Sequence, residues 1–112
     1  MGNVINVAYS LDDFVEKIGL IFYTAIRNNT LDYIYSKYPD FSDRSQRVKT
    51  YIYDTAKKEI GRAMSREAAL KYQAYFSENA LSYEQIAQYQ ALFSQLASDF
   101  DLTDEFTENG II

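Results

Sequence analysis

The chain has 112 residues, a net charge of −5, and neither histidine nor cysteine. A chain of this length is typical of one domain and can bury a core of its own. The lack of cysteine excludes disulfides and thiolate metal sites, and the lack of histidine removes the commonest general base and metal ligand. We therefore expect no enzyme, no bound metal and no cofactor.

Charge is segregated along the chain. Residues 1–43 carry a net charge of −3, residues 44–71 carry +5, and residues 72–112 carry −7 with no lysine or arginine. A basic middle followed by an acidic end allows the two to pair within the fold, or to form two surfaces of opposite charge.

The first nine residues have neither a basic segment nor a continuous apolar one, so we expect no signal peptide. No run of about 18 apolar residues is present, which argues against a membrane-spanning helix. These features, with the absence of cysteine, predict a cytoplasmic protein that does not enter a membrane. Residues 1–9 are predicted to be a flexible or extended arm.

A first helix is predicted over residues 11–27, capped by Ser10. Asn28–Asn29 is predicted to end it, because asparagine tolerates the left-handed conformation, and residues 31–37 then form a short second helix. One unbroken helix as far as Tyr38 is the alternative. The residues predicted to face inward are Leu11, Phe14, Val15, Ile18, Ile21, Phe22 and Ala25.

A basic helix is predicted to begin at Ser42 or Asp43 and to run over residues 43–64. Gly61 weakens it and Ser65 permits a new start, so a further helix is predicted over residues 66–77. A single helix through both segments is the alternative. The predicted buried stripe of the basic helix is Val48, Ile52, Ala56, Ile60 and Ala63.

Spacing of 100° per residue groups Arg44, Arg47, Tyr51, Lys58 and Arg62 on another face of this basic helix. Tyrosine and arginine are enriched among the residues that dominate protein–protein binding. We therefore predict that these five residues bind a partner protein with an acidic surface.

The segment 81–100 predicts the best-defined helix of the chain. Ser82 and Gln85 have the spacing of a capping box, which starts the helix at about Tyr83. One more helical turn is expected after Thr103, within an acidic tail of residues 101–112. The predicted apolar seam of the main helix is Ile86, Tyr89, Phe93, Leu96 and Phe100.

Together these elements predict an all-α, single-domain bundle of four to five mostly antiparallel helices. The expected function is a non-catalytic protein-binding module, such as a small regulator or stoichiometric inhibitor. In size, acidity and helicity it is similar to small proteins encoded by phages and other mobile elements, which often inhibit larger macromolecules.

Two alternatives belong to other classes. The basic segment 43–71, with Gly61 and Ser65 between two helices, loosely resembles a helix-turn-helix and would bind nucleic acid. The third possibility is a subunit that assembles with copies of itself, as a homo-oligomer.

Overall fold

The computed structural model describes the backbone from Leu11 to Ile112 and the side chains from Gly19 onward. The predicted arm at residues 1–9, the cap at Ser10 and the inward residues before Gly19 lie outside this description. The all-α prediction is confirmed, with no strand among the described residues. The helices are α1 (Leu11–Lys37), α2 (Gln46–Glu78), α3 (Tyr83–Phe100) and α4 (Thr103–Glu108).

The predicted break of the first helix at Asn28–Asn29 is wrong, because α1 continues unbroken through it. The Asn29 Nδ2 donates a hydrogen bond to the Ala25 carbonyl at 2.8 Å. The buried hydroxyl of Thr30 donates to the Ile26 carbonyl at 2.7 Å. Both side chains therefore bond to the preceding turn of the same helix instead of terminating it.

The basic helix α2 begins later than Ser42 or Asp43. Ser45 is its N-cap, and the Ser45 hydroxyl accepts a hydrogen bond from the Val48 amide at 3.4 Å. The residues before it form a short 3₁₀ turn, Phe41–Asp43. The observed helix starts later than predicted because Ser45 accepts from a backbone amide of the first turn, which Ser42 and Asp43 do not.

The predicted break at Gly61 and Ser65 is also wrong, since α2 is continuous. Gly61, Ser65 and Ala69 recur at every fourth residue and are all buried. The ring of Phe100, the last residue of α3, fills the space where a side chain on Gly61 would lie. These small residues let α3 approach α2 closely, and this packing offsets the poor helix propensity of Gly61.

Helices α1 and α2 are antiparallel. In the first half of α1, Phe22 packs in the same cluster as Met64 of α2. Near its end, Ile34 packs with Ala56, which is earlier in α2. This smaller cluster is closed by Phe41 from the connecting turn.

Helix α3 is antiparallel to α2 and parallel to α1. The ring centroid of Tyr72 in α2 lies 4.7 Å from that of Tyr89, at the beginning of α3, whereas Phe100 meets Gly61. The predicted capping box of Ser82 and Gln85 is confirmed. The predicted seam is confirmed as well, with Phe93, Leu96 and Phe100 buried and Ile86 and Tyr89 half-buried.

The prediction of a single buried stripe along α2 is wrong. Ala56 faces α1, while Ser65, nine residues later, lies about 180° around the helix. Because α3 and the acidic tail pack on the second half of α2 in addition to α1, the buried face of α2 changes side. Ala63, predicted to be buried, is exposed for this reason. Val48, also predicted to be buried, is exposed because it lies about 80° around the helix from Ala56, at the edge of the face that α1 covers.

The acidic tail is folded onto α2. The chain reverses at Asp101, in the left-handed conformation with φ 58°, and again at Gly110, with φ 72°. Leu102, Phe106 and Ile111 of the tail are each no more than 2% exposed. The predicted turn after Thr103 is confirmed, and the end of the chain docks on the core.

Candidate protein-binding surface

Arg62, predicted to bind a partner, contacts the end of α3. Its Nη1 donates hydrogen bonds to the carbonyl oxygens of Phe100, at 2.9 Å, and Asp101, at 3.0 Å. Carbonyls at the end of a helix have no partner within that helix. Arg62 therefore caps α3, and this role in the fold accounts for its position.

The next arginine along α2 pairs with the acidic tail. Arg66 makes a bidentate contact with Glu105, in which its Nε and Nη2 each lie 2.8 Å from a carboxylate oxygen. This hydrogen bond lowers the pKa of Glu105 from its ordinary value and raises that of Arg66. The carboxy-terminal part of the basic segment is thus neutralised within the chain.

Arg44 lies before α2, not on its face. Its guanidinium is 3.3 Å from the Asp40 carboxylate and 5.3 Å from the centre of the Tyr38 ring. These contacts hold the side chain against the connecting turn, which leaves it only partly available to a partner.

Arg47, Tyr51 and Lys58 are the predicted residues that remain exposed. Tyr51 is 72% exposed, and Arg47 lies one helical turn before it. No carboxylate among the described residues lies within 4.0 Å of Arg47 or Lys58. We call these three residues the Tyr51 face; they share an outer side of the amino-terminal half of α2.

Beside the Tyr51 face, an open groove that was not predicted from the sequence runs between α1 and α2. Two depressions, of about 380 and 310 Å³, lie along it and share Asp54 in their linings. Its lining is apolar at Leu31, Phe41, Tyr53 and Phe100 and basic at Lys49, Lys57 and Lys58. We call this feature the α1–α2 groove. The signal that could have found it is helix length, because two long helices outrun the shorter α3.

One end of the groove is formed by α3. The Tyr23 hydroxyl of α1 donates a hydrogen bond to the Asp99 carboxylate, which also accepts from the Gln95 side chain at 3.2 Å. Burial, and then this bond to a carboxylate, raises the pKa of Tyr23 above its ordinary value. The Asp99 carboxylate is therefore already engaged.

No protein-family model, curated protein or solved structure matches this chain. Within residues 11–112, no helix combines the length and apolar character needed to cross a membrane. Among the side chains that the structure describes, from Gly19 onward, no group of three acidic residues is placed to bind a metal ion.

Proposed function

We propose that this chain is a non-catalytic protein-binding module that regulates or inhibits a larger macromolecule through the Tyr51 face. The observation that carries the proposal is the 72% exposure of Tyr51 beside basic residues that have no described ion-pair partner. A tyrosine brings a large, fairly rigid contact area with a polar tip, and it loses little conformational entropy on binding.

Among the described residues, only some of the basic side chains of residues 44–71 are paired within the chain, and the unpaired ones support an acidic partner. Arg62 and Arg66 are occupied by the end of α3 and by the acidic tail. Arg47 and Lys58 have no such contact among the described residues, so their charge is directed to solvent. An acidic surface would bring complementary charge to them and speed the encounter.

The experiment starts with the wild-type chain as bait in extracts of its source cell. The captured protein is then purified, and its affinity is measured for the wild type and for the double variant Arg47→Ala, Tyr51→Ala. We expect the double variant to lose at least ~2 kcal/mol of binding free energy, which is the loss typical of a binding hot spot. Its thermal stability should stay nearly unchanged, because both side chains are exposed.

Tyr83→Ala is the matched control. Tyr83 is 92% exposed and begins α3, at the opposite end of the bundle from the Tyr51 face. This variant should bind the partner like the wild type. Equal affinity of all three proteins, or a loss of stability in the double variant with binding retained, would contradict the proposed function.

A further inference from the structure

Helix α3 covers only part of α2. Its last residue, Phe100, lies against Gly61, whereas α2 begins fifteen residues earlier at Gln46. At 1.5 Å per residue, about 22 Å of α2 extends past the end of α3. Among the described elements, α1 and the connecting turn are the neighbours of this extension. Among the described helices, α2 therefore has α1, α3 and α4 beside it at one end and α1 alone at the other.

The α1–α2 groove occupies the line that α3 would follow if it were longer. Asp99 and Phe100, at the end of α3, line the nearer depression, and Phe41 lines the farther one. Leu31 and Tyr53 are half-buried between them, one from each helix. An apolar centre flanked by polar walls is the form of a groove that binds an amphipathic helix.

The charges of the groove are unbalanced. Lys49, Lys57 and Lys58 line it, and none has a carboxylate within 4.0 Å among the described residues. The acids beside them are Asp54 and Asp99, of which Asp99 already accepts hydrogen bonds. The lysines therefore favour an occupant that carries carboxylates.

We infer that the α1–α2 groove binds an acidic amphipathic helix of the partner, lying end to end with α3. This inference rests on the proposed function and specifies the form of its partner. The apolar stripe of the bound helix packs on Leu31 and Tyr53, and its acidic flanks face the three lysines. Helices α1 and α2 already accommodate α3 along the same line, so binding requires no rearrangement of either.

Helix dipoles set the direction of the bound helix. Its amino terminus lies toward Asp99 and Asp101, since the positive end of a helix is stabilised by carboxylates. The reverse direction would bring two negative helix ends together at Phe100. The bound helix is therefore parallel to α3.

The test uses the full chain and a cross-linked helical peptide of about 15 residues, long enough to fill the groove. The peptide carries leucine and alanine on one face and glutamate on both flanks. A second peptide has lysine in place of every glutamate. Fluorescence anisotropy should show saturable binding of the acidic peptide, at least about tenfold tighter than that of the basic one, or about 1.4 kcal/mol.

Variants of the chain locate the binding site. Thr50→Trp fills the groove, whereas Thr55→Trp adds the same bulk about 140° around α2. Lys57→Glu reverses a charge in the groove, and Lys71→Glu makes the same change at an exposed residue of the covered half. We expect about tenfold weaker peptide binding from each groove variant, or about 1.4 kcal/mol. The two controls should bind like the wild type.

Equal binding of both peptides, tighter binding of the basic one, or equal effects of groove and control variants would overturn the inference. So would self-association that Thr50→Trp abolishes, because the occupant would then be a second copy. A partner that depends on Arg47 and Tyr51 but tolerates Thr50→Trp would overturn the groove alone and leave the proposed function standing. A partner whose affinity is unchanged by substitution of Arg47, Tyr51 and Thr50 would overturn both the groove and the proposed function.

Discussion

The ring of Phe100 lies where the side chain of any other residue at position 61 would begin. A Cβ on Gly61 would overlap three carbon atoms of that ring. Phe100 is only 3% exposed, so the ring has little space into which to move. The glycine in the middle of α2 is therefore what allows α3 to end there, and the end of α3 is also the beginning of the α1–α2 groove.

Gly61→Ala should destabilise the protein although alanine is the better helix former. The propensity gain of about 1 kcal/mol is outweighed by overpacking, which costs roughly 1–3 kcal/mol and more where the backbone must move. Urea unfolding measures the difference. Gly19→Ala is the control, because its Cβ would lie 3.7 Å from Leu92, an ordinary contact. It should stabilise α1, and a Gly61→Ala protein stabilised to the same degree would contradict the packing described.

Ser65→Ala should leave stability unchanged or raise it by up to ~1 kcal/mol. Ser65 is fully buried, and its hydroxyl has no hydrogen-bond partner among the described residues. Alanine removes that polar group and also has the higher helix propensity. The free energy of unfolding checks this. A loss above about 1 kcal/mol, the net value of a typical hydrogen bond, would mean that the hydroxyl has a partner.

The contact between Arg66 and Glu105 should make stability depend on pH. The pKa of Glu105 is lowered in the folded state, so its contribution is present above the ordinary value of 4.5. That contribution is lost as the pH falls through the lower folded value. Glu105→Gln should therefore be less stable than the wild type at pH 7, and the difference should shrink toward pH 3.

Asp104→Asn, at the neighbouring residue, is the control for this titration. No cation among the described residues lies within 4.0 Å of Asp104. Thermal unfolding of the three proteins between pH 7 and pH 3 measures the effect. A constant gap between wild type and Glu105→Gln over this range would show that the ion pair does not stabilise the fold.

The sequence was most informative where a local signal decides the structure. The capping box at Ser82 and the apolar spacing behind it predict α3 to its first and last residue. Both predicted breaks failed because small or polar residues were interpreted without their neighbours. Gly61 and Ser65 are packing residues of a continuous helix, and Thr30 bonds to its own helix. These contacts depend on tertiary structure, which local propensity does not contain.

The five predicted binding residues fall into an exposed group and a group that contacts the chain itself, because exposure depends on tertiary structure. Helical spacing correctly placed Tyr51 on an exposed side of α2. It also included Arg62, although the end of α3 lies against that residue. Helical spacing shows which side chains share a face of one helix, whereas their exposure depends on where the neighbouring helix ends. The α1–α2 groove was missed because both of its helices were expected to be broken, which hid how far they extend past α3.

Nucleic-acid binding through the basic segment should be absent. Because α2 is continuous, the turn that a helix-turn-helix would need at residues 61–65 is not formed. Three of the arginines contact the chain itself, which leaves fewer cations for phosphates. Electrophoretic mobility of single- and double-stranded DNA and RNA at low salt, about 50 mM, measures this. Binding that weakens steeply as salt is raised would contradict the expectation.

Hydroxyl-radical footprinting of the complex with the captured partner tests the central claim most directly. Tyr51 and Tyr83 are the two most exposed tyrosines among the described residues, 72% and 92%, so both should react in the free protein. Binding through the Tyr51 face predicts that the partner protects Tyr51 and leaves Tyr83 as reactive as before. Protection of Tyr83 with Tyr51 still fully reactive would place the interface at the other end of the bundle and contradict the account.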